Sequence, residues 1–77
     1  MNKARRKAIE HVRAAIDAER AMLEEIRDQE QEYRDAMPAG ISEGEKGDKA
    51  DGVIEQLSSV LQTMEEIDEA LNPREFE

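Results

Sequence analysis

Few side chains in this chain could do covalent or acid–base chemistry. There is one histidine, His11, and no cysteine, and the aliphatic hydroxyls are Ser42, Ser58, Ser59 and Thr63. Nucleophilic catalysis needs a nucleophile held beside a base. A lone histidine and scattered hydroxyls supply no such pair. A structural zinc site takes usually four Cys or His ligands, so His11 alone cannot build one. Carboxylates are plentiful and densest at Glu65-Glu66-Asp68-Glu69. A hard cation, however, needs a loop that converges about 6–8 oxygens, and a helical pattern spreads these groups instead. The expectation is a protein that is not an enzyme, with no catalytic residue, no cofactor and no metal.

The other regular chemistry is charge. Arginine recurs at every seventh position, as Arg6, Arg13, Arg20, Arg27 and Arg34. Between them stand Glu10, Asp17, Glu24 and Gln31, each four residues after one arginine and three before the next. On a helix these spacings make neighbours, each pair worth a few tenths of a kcal/mol. The ladder therefore reads as helix support along the edge of a core, with the arginine stems covering apolar surface. A recognition stripe is the sharper alternative. Lys3, Arg5, Arg6 and Lys7 open the chain with cations, which are unfavourable at a helix N-terminus and predict fraying there. The sharper reading of this end is a docking patch for an acidic partner or phosphate.

The elements that must carry these residues are two helices. Ile9, Ile16, Leu23, Glu30 and Met37 take heptad position a; Val12, Glu19, Ile26 and Tyr33 take d; Ala8, Ala15, Met22, Gln29 and Ala36 take g. The arginines fall at e and the acids between them at b. In the second half Ala50, Leu57, Met64 and Leu71 hold a, Val53, Val60 and Ile67 hold d, and Ile54 and Leu61 hold e. Repeats of seven mark long helices laid against other helices. Glu19 and Glu30 interrupt the first apolar series, so these positions must be hydrated, paired or at an edge.

Pro38-Ala39-Gly40 stops the first helix, proline by breaking it and glycine by turning the chain. Ser42-Glu43-Gly44-Glu45 has the capping-box pattern. The boundaries expected are helix one over 3–37, a turn over 38–42, helix two over 43–71 and a tail over 72–77. The fold class is all-α: one domain over 1–77, an antiparallel two-helix, coiled-coil-like hairpin. An axial register that sets Leu23 by Val60 and Ile16 by Ile67 also brings Arg13 near Asp68, places Glu30 by Val53 near Lys49, and lets Arg20 and Arg27 flank Leu61 and Ile54. The apolar stripes are too wide for one seam, so a homodimer forming a four-helix bundle is expected. Ala8, Ala15, Met22, Ile54 and Leu61 are its candidate contacts.

The chain has 77 residues, a size at which a single core rarely supplies more than about 3–5 kcal/mol. Its net charge is −9, from 20 acidic and 11 basic side chains. Residues 1–37 hold 8 basic and 9 acidic groups (−1), and residues 38–77 hold 3 and 11 (−8). The acidic face of helix two, Asp51, Glu55, Glu65, Glu66, Asp68 and Glu69, is the candidate partner-binding surface. Its sign disfavours direct nucleic-acid binding and suits a basic protein surface. No apolar run reaches the ~20 residues of a membrane span, and no signal-peptide core follows the basic start. A soluble, cytoplasmic protein is expected.

Met1-Asn2-Lys3-Ala4-Arg5-Arg6-Lys7, the run Arg27-Asp28-Gln29-Glu30-Gln31-Glu32-Tyr33, the Met37-Pro38 turn and Ser42-Glu43-Gly44-Glu45 together resemble the small acidic helical-hairpin proteins encoded by phages and prophages. The resemblance covers nearly the whole chain, departing at Ala36 and Ala39-Gly40, where more polar turn residues are expected. It supplies no active site. It implies a phage setting in a host cytoplasm, and a role as inhibitor or modulator of a host protein, including an anti-defence role by nucleic-acid mimicry. The alternative is an assembly protein that works by self-association, and the weakest reading is nucleic-acid binding through Lys3, Arg5, Arg6 and Lys7.

Overall fold

A computed structural model describes residues 1–72. The described residues are helical throughout apart from short connections. Helix α1 runs Lys3–Asp35, α2 Ala39–Ser42 and α3 Glu45–Ala70. The all-α class holds. A short helix stands where a plain turn was expected, and α1 ends two residues early. Of the predicted tail, only Asn72 lies within the described residues.

Helix α1 opens despite its cations because Asn2 caps it, its side-chain oxygen accepting from the Arg5 N–H at 2.8 Å. The Arg6 guanidinium donates to the Met1 carbonyl at 2.9 and 3.2 Å, fastening the basic end back on the helix. Arg34 lies in the last turn, where the helix dipole favours a cation. Glu45 and Asp48 hold the first turn of α3, where it favours anions.

The connection between the long helices is built differently from its sequence reading. Pro38 caps α2 through its carbonyl, which accepts from the Ile41 and Ser42 N–H groups at 2.9 Å each. No glycine among the described residues has a positive φ, so the reversal uses ordinary right-handed turns rather than glycine's special freedom. The capping box does not form: Gly44 is the N-cap of α3, and the Ser42 hydroxyl donates instead to the Ala39 carbonyl at 3.1 Å. Glycine is needed for another reason at Gly47. A Cβ there would come within 1.9 Å of the Ser42 carbonyl oxygen. The absent side chain is what lets the end of α2 sit on the first turn of α3.

Helices α1 and α3 lie side by side and antiparallel, as shown by Arg13 meeting Asp68 while Arg34 meets Asp51. The axial register places Arg13 by Asp68 as expected, but both helices are rotated from the expected faces. The half-buried residues of α1 are Ile9, Arg13, Ile16, Arg20, Leu23, Arg27, Glu30 and Arg34, the a and e positions. On α3 the covered residues are again a and e: Gly47, Ala50, Ile54, Leu57, Leu61, Met64 and Asp68. Among the described residues only Gly47, Ala50 and Leu61 are buried, and none of α1 is. The d positions expected inside, Val12, Ile26, Val53, Val60 and Ile67, are 37–46% exposed. A physical reason is available. Turning position e inward matches Arg13 and Arg34 with carboxylates of α3, while turning d inward would desolvate Glu19.

The result is a rod, 59 × 15 × 13 Å, with a radius of gyration of 17.6 Å. A compact chain of this length would have one of about 11–12 Å.

Candidate interaction surface

The seam residues divide the pair into two long faces. Positions b and d lie roughly 80° to either side of the a/e seam at about 100° per residue. Because the helices are antiparallel, the b rows of both emerge on one side and the d rows on the other. The grooves between the helices agree. Glu24, Ser58 and Glu65, all b, line one groove with Arg20, Arg27, Leu61 and Gln62. Tyr33, Val53 and Lys46, all d, line another with Glu30, Lys49 and Ala50.

The b face is polar and partly self-neutralised. Arg13 Nε donates to Asp68 Oδ1 at 3.2 Å, with both side chains largely sheltered. Arg34 spans Asp51 with Nε and Nη2, at 2.8 and 3.3 Å. These hydrogen bonds hold the Arg34 guanidinium above its ordinary pKa against the opposing effect of burial, with lesser support from the charges of Asp51, Asp35 and Asp48. Arg27 pairs with Asp28 beside it at 3.2 Å. The predicted ladder of pairs within α1 is therefore not what the arginines do: Glu10, Asp17 and Glu24 pair with none of them, and two arginines bridge to α3 instead. Arg20 and Arg27 flank Leu61 in the groove, as the register suggested.

This redistributes the six candidate acidic residues. Asp51 and Asp68 face arginines of α1 and hold the helices together, so they are not a free binding surface. Glu65 lies at the lip of the groove with Arg20 and Arg27. Glu55, Glu66 and Glu69 are exposed and pair with no other described residue. Of the self-association candidates, Leu61 is only 7% exposed and Ile54 is half-buried, both within the chain's own seam, so neither is free to contact a second molecule. Ala8, Ala15 and Met22 are exposed.

The d face is what the sequence reading missed. Val12, Ile26, Tyr33, Val53, Val60 and Ile67 stand along it, 37–52% exposed, and Ile41 extends it at the α2 end. The signal was present, because the d series was identified as apolar; it was assigned to the inside. Scattered exposed apolar groups need no explanation, whereas these share one face, broken on α1 by Glu19.

Among the described residues no group of three or more His, Cys, Asp or Glu side chains could hold a metal ion, and no helix is long and apolar enough to cross a membrane. Comparison with models of protein families, with curated proteins and with solved structures finds no match to this chain.

Proposed function

We propose that this chain is a non-enzymatic protein-binding module whose acidic outer surface on α3 docks on a basic surface of another protein. The observation that carries the reading is the set of carboxylates left over once the helix pair has formed. Asp51 and Asp68 are used internally, whereas Glu55, Glu66 and Glu69 face outward on the half of the chain that carries −8. Like charges on a rigid rod attract a positively charged groove and raise its association rate. A groove that normally holds a nucleic-acid backbone is the kind of surface such a rod fits. In the phage setting suggested by the sequence resemblance, the partner is a host protein, and the module inhibits or modulates it.

The test is capture from host lysate with the full chain as bait, over a salt series and beside the variant Glu55→Gln/Glu66→Gln/Glu69→Gln. A partner held at low salt, released as salt rises and lost with the triple variant supports the reading. Retention by the variant at unchanged affinity rejects it. Asp68 is left intact because removing it would also break the pair with Arg13.

A second reading, assembly by self-association, is favoured by the apolar d face. The antiparallel pair would then be half of a four-helix bundle formed by two copies.

A further inference from the structure

Each long helix carries two heptad seams, not one. The a/e rows meet between α1 and α3. The d and g rows, spaced alternately three and four residues apart like any coiled-coil seam, form a second stripe that no other described element covers. On α1 this stripe reads Ala8, Val12, Ala15, Glu19, Met22, Ile26, Gln29, Tyr33 and Ala36. On α3 it reads Lys46, Lys49, Val53, Gln56, Val60, Thr63, Ile67 and Ala70. Every one of these residues is exposed. In a chain that is 40% charged, only Glu19, Lys46 and Lys49 are charged among them. The small residues Ala8, Ala15, Ala36 and Ala70 at g leave room for another helix to approach closely.

We infer that this d/g face is the interface with a second copy of the chain, a proposal that rests on the self-association reading and gives it a surface and an arrangement. The required area is present. The exposed surface is 5832 Å², whereas a compact monomer of this mass exposes about 4,800 Å². The difference of about 1,000 Å² matches the roughly 800 Å² per partner of a standard interface. Tyr33 and Val53 line one groove together, and the heptad repeat then sets Ile26 level with Val60 and Glu19 level with Ile67. A second copy presents the same layers at the same spacing, so they can stack over the full length of the rod.

Charge selects the arrangement. A dyad across the helices would lay α1 on α1 and α3 on α3, setting one −8 half against another. A dyad along the helices lays α1 of one copy on α3 of the other. The −1 half then faces the −8 half, and Ile26 of one copy sits over Val60 of the next. Each helix also keeps antiparallel neighbours on both sides.

Sizing with light scattering on the full chain over about two decades of concentration is the first measurement. A dimer whose population rises with concentration is expected, and a monomer throughout overturns the self-association reading and this inference together. The second measurement isolates the face. Ile26→Glu/Val60→Glu changes residues exposed in the isolated pair, so helicity by circular dichroism should persist while the dimer is lost; Glu24→Gln on the polar face should leave the dimer intact. A dimer that survives Ile26→Glu/Val60→Glu overturns the face while leaving self-association standing. The arrangement is read by disulfides, since the native chain has no cysteine. A mixture of Ile26→Cys and Val60→Cys chains should cross-link to each other on oxidation. Cross-linking of Ile26→Cys chains to themselves instead would overturn the along-helix dyad.

Discussion

Two glycines on α3 of identical sequence appeal have opposite structural roles. Gly47 sits under the Ser42 carbonyl, and a Cβ there meets backbone atoms that cannot swing aside. Gly52 has open space where a Cβ would stand, and its φ is ordinary. Gly52→Ala should therefore stabilise the fold by about 0.5–1 kcal/mol, the usual gain from replacing glycine inside a helix. Gly47→Ala should destabilise it by about 1–3 kcal/mol, because the overlap exceeds the helix-propensity gain. Urea denaturation of the two variants beside the native chain checks the pair; equal shifts in midpoint would mean that α2 does not pack on Gly47. Helical periodicity alone cannot tell these residues apart, since it records where a side chain would point and not what lies there. The arginines teach the same lesson. Their spacing was legible, but spacing within α1 offers carboxylates at b as readily as α3 offers Asp51 and Asp68. Only the fold shows which were used.

At the scale of elements, the helices themselves were readable and their ends less so. The long apolar series required two helices, and the −1 and −8 halves correspond to the parts before and after the turn. The turn was misread because Ser42 and Glu45 match a local capping pattern while the packing of α2 on α3 moves the cap to Gly44. Ser42→Ala should consequently change stability by less than about 0.5 kcal/mol, whereas loss of a true capping serine costs typically ~1 kcal/mol. The Ala39 carbonyl keeps the Glu43 N–H as a donor at 3.2 Å when the hydroxyl is gone. Asn2→Ala provides the contrast. It removes a cap that is made, so amide exchange in the first turn of α1 should quicken, with the remainder of the helix unaffected. Equal behaviour of the two variants would contradict these caps.

For the whole molecule the governing fact is how little is buried. Ala50 and Leu61 are the only buried hydrophobic residues described, and a lone pair of helices with such a core has marginal stability. If a second copy covers the d/g face, folding and association are linked by mass action. The thermal midpoint should then rise with protein concentration, and Ile26→Glu/Val60→Glu should remove that dependence. Calorimetry at several concentrations measures both. Of the acidic outer residues, Glu55 and Glu69 lie away from that face and Glu66 lies at its edge, so a dimer would still present Glu55 and Glu69 to a basic partner, and on both copies.

By itself the sequence determined the helical class, the sevenfold spacing and the uneven charge. It also contained both apolar seams. What it left open was which seam turns inward, because rotating a helix by a fraction of a turn changes no spacing along the chain. Both solutions are periodic, and both bury apolar rows. Tertiary contacts chose between them: Asp68 and Asp51 receive Arg13 and Arg34, and Gly47 admits the Ser42 backbone. The heptad register anticipates Arg13 beside Asp68, but the Arg34–Asp51 pair depends on helix rotation and the Gly47 contact on the shape of a turn, and no local pattern encodes either. The same choice left Val12, Ile26, Tyr33, Val53, Val60 and Ile67 on the outside, so the surface with most to say about partners was decided by the fold.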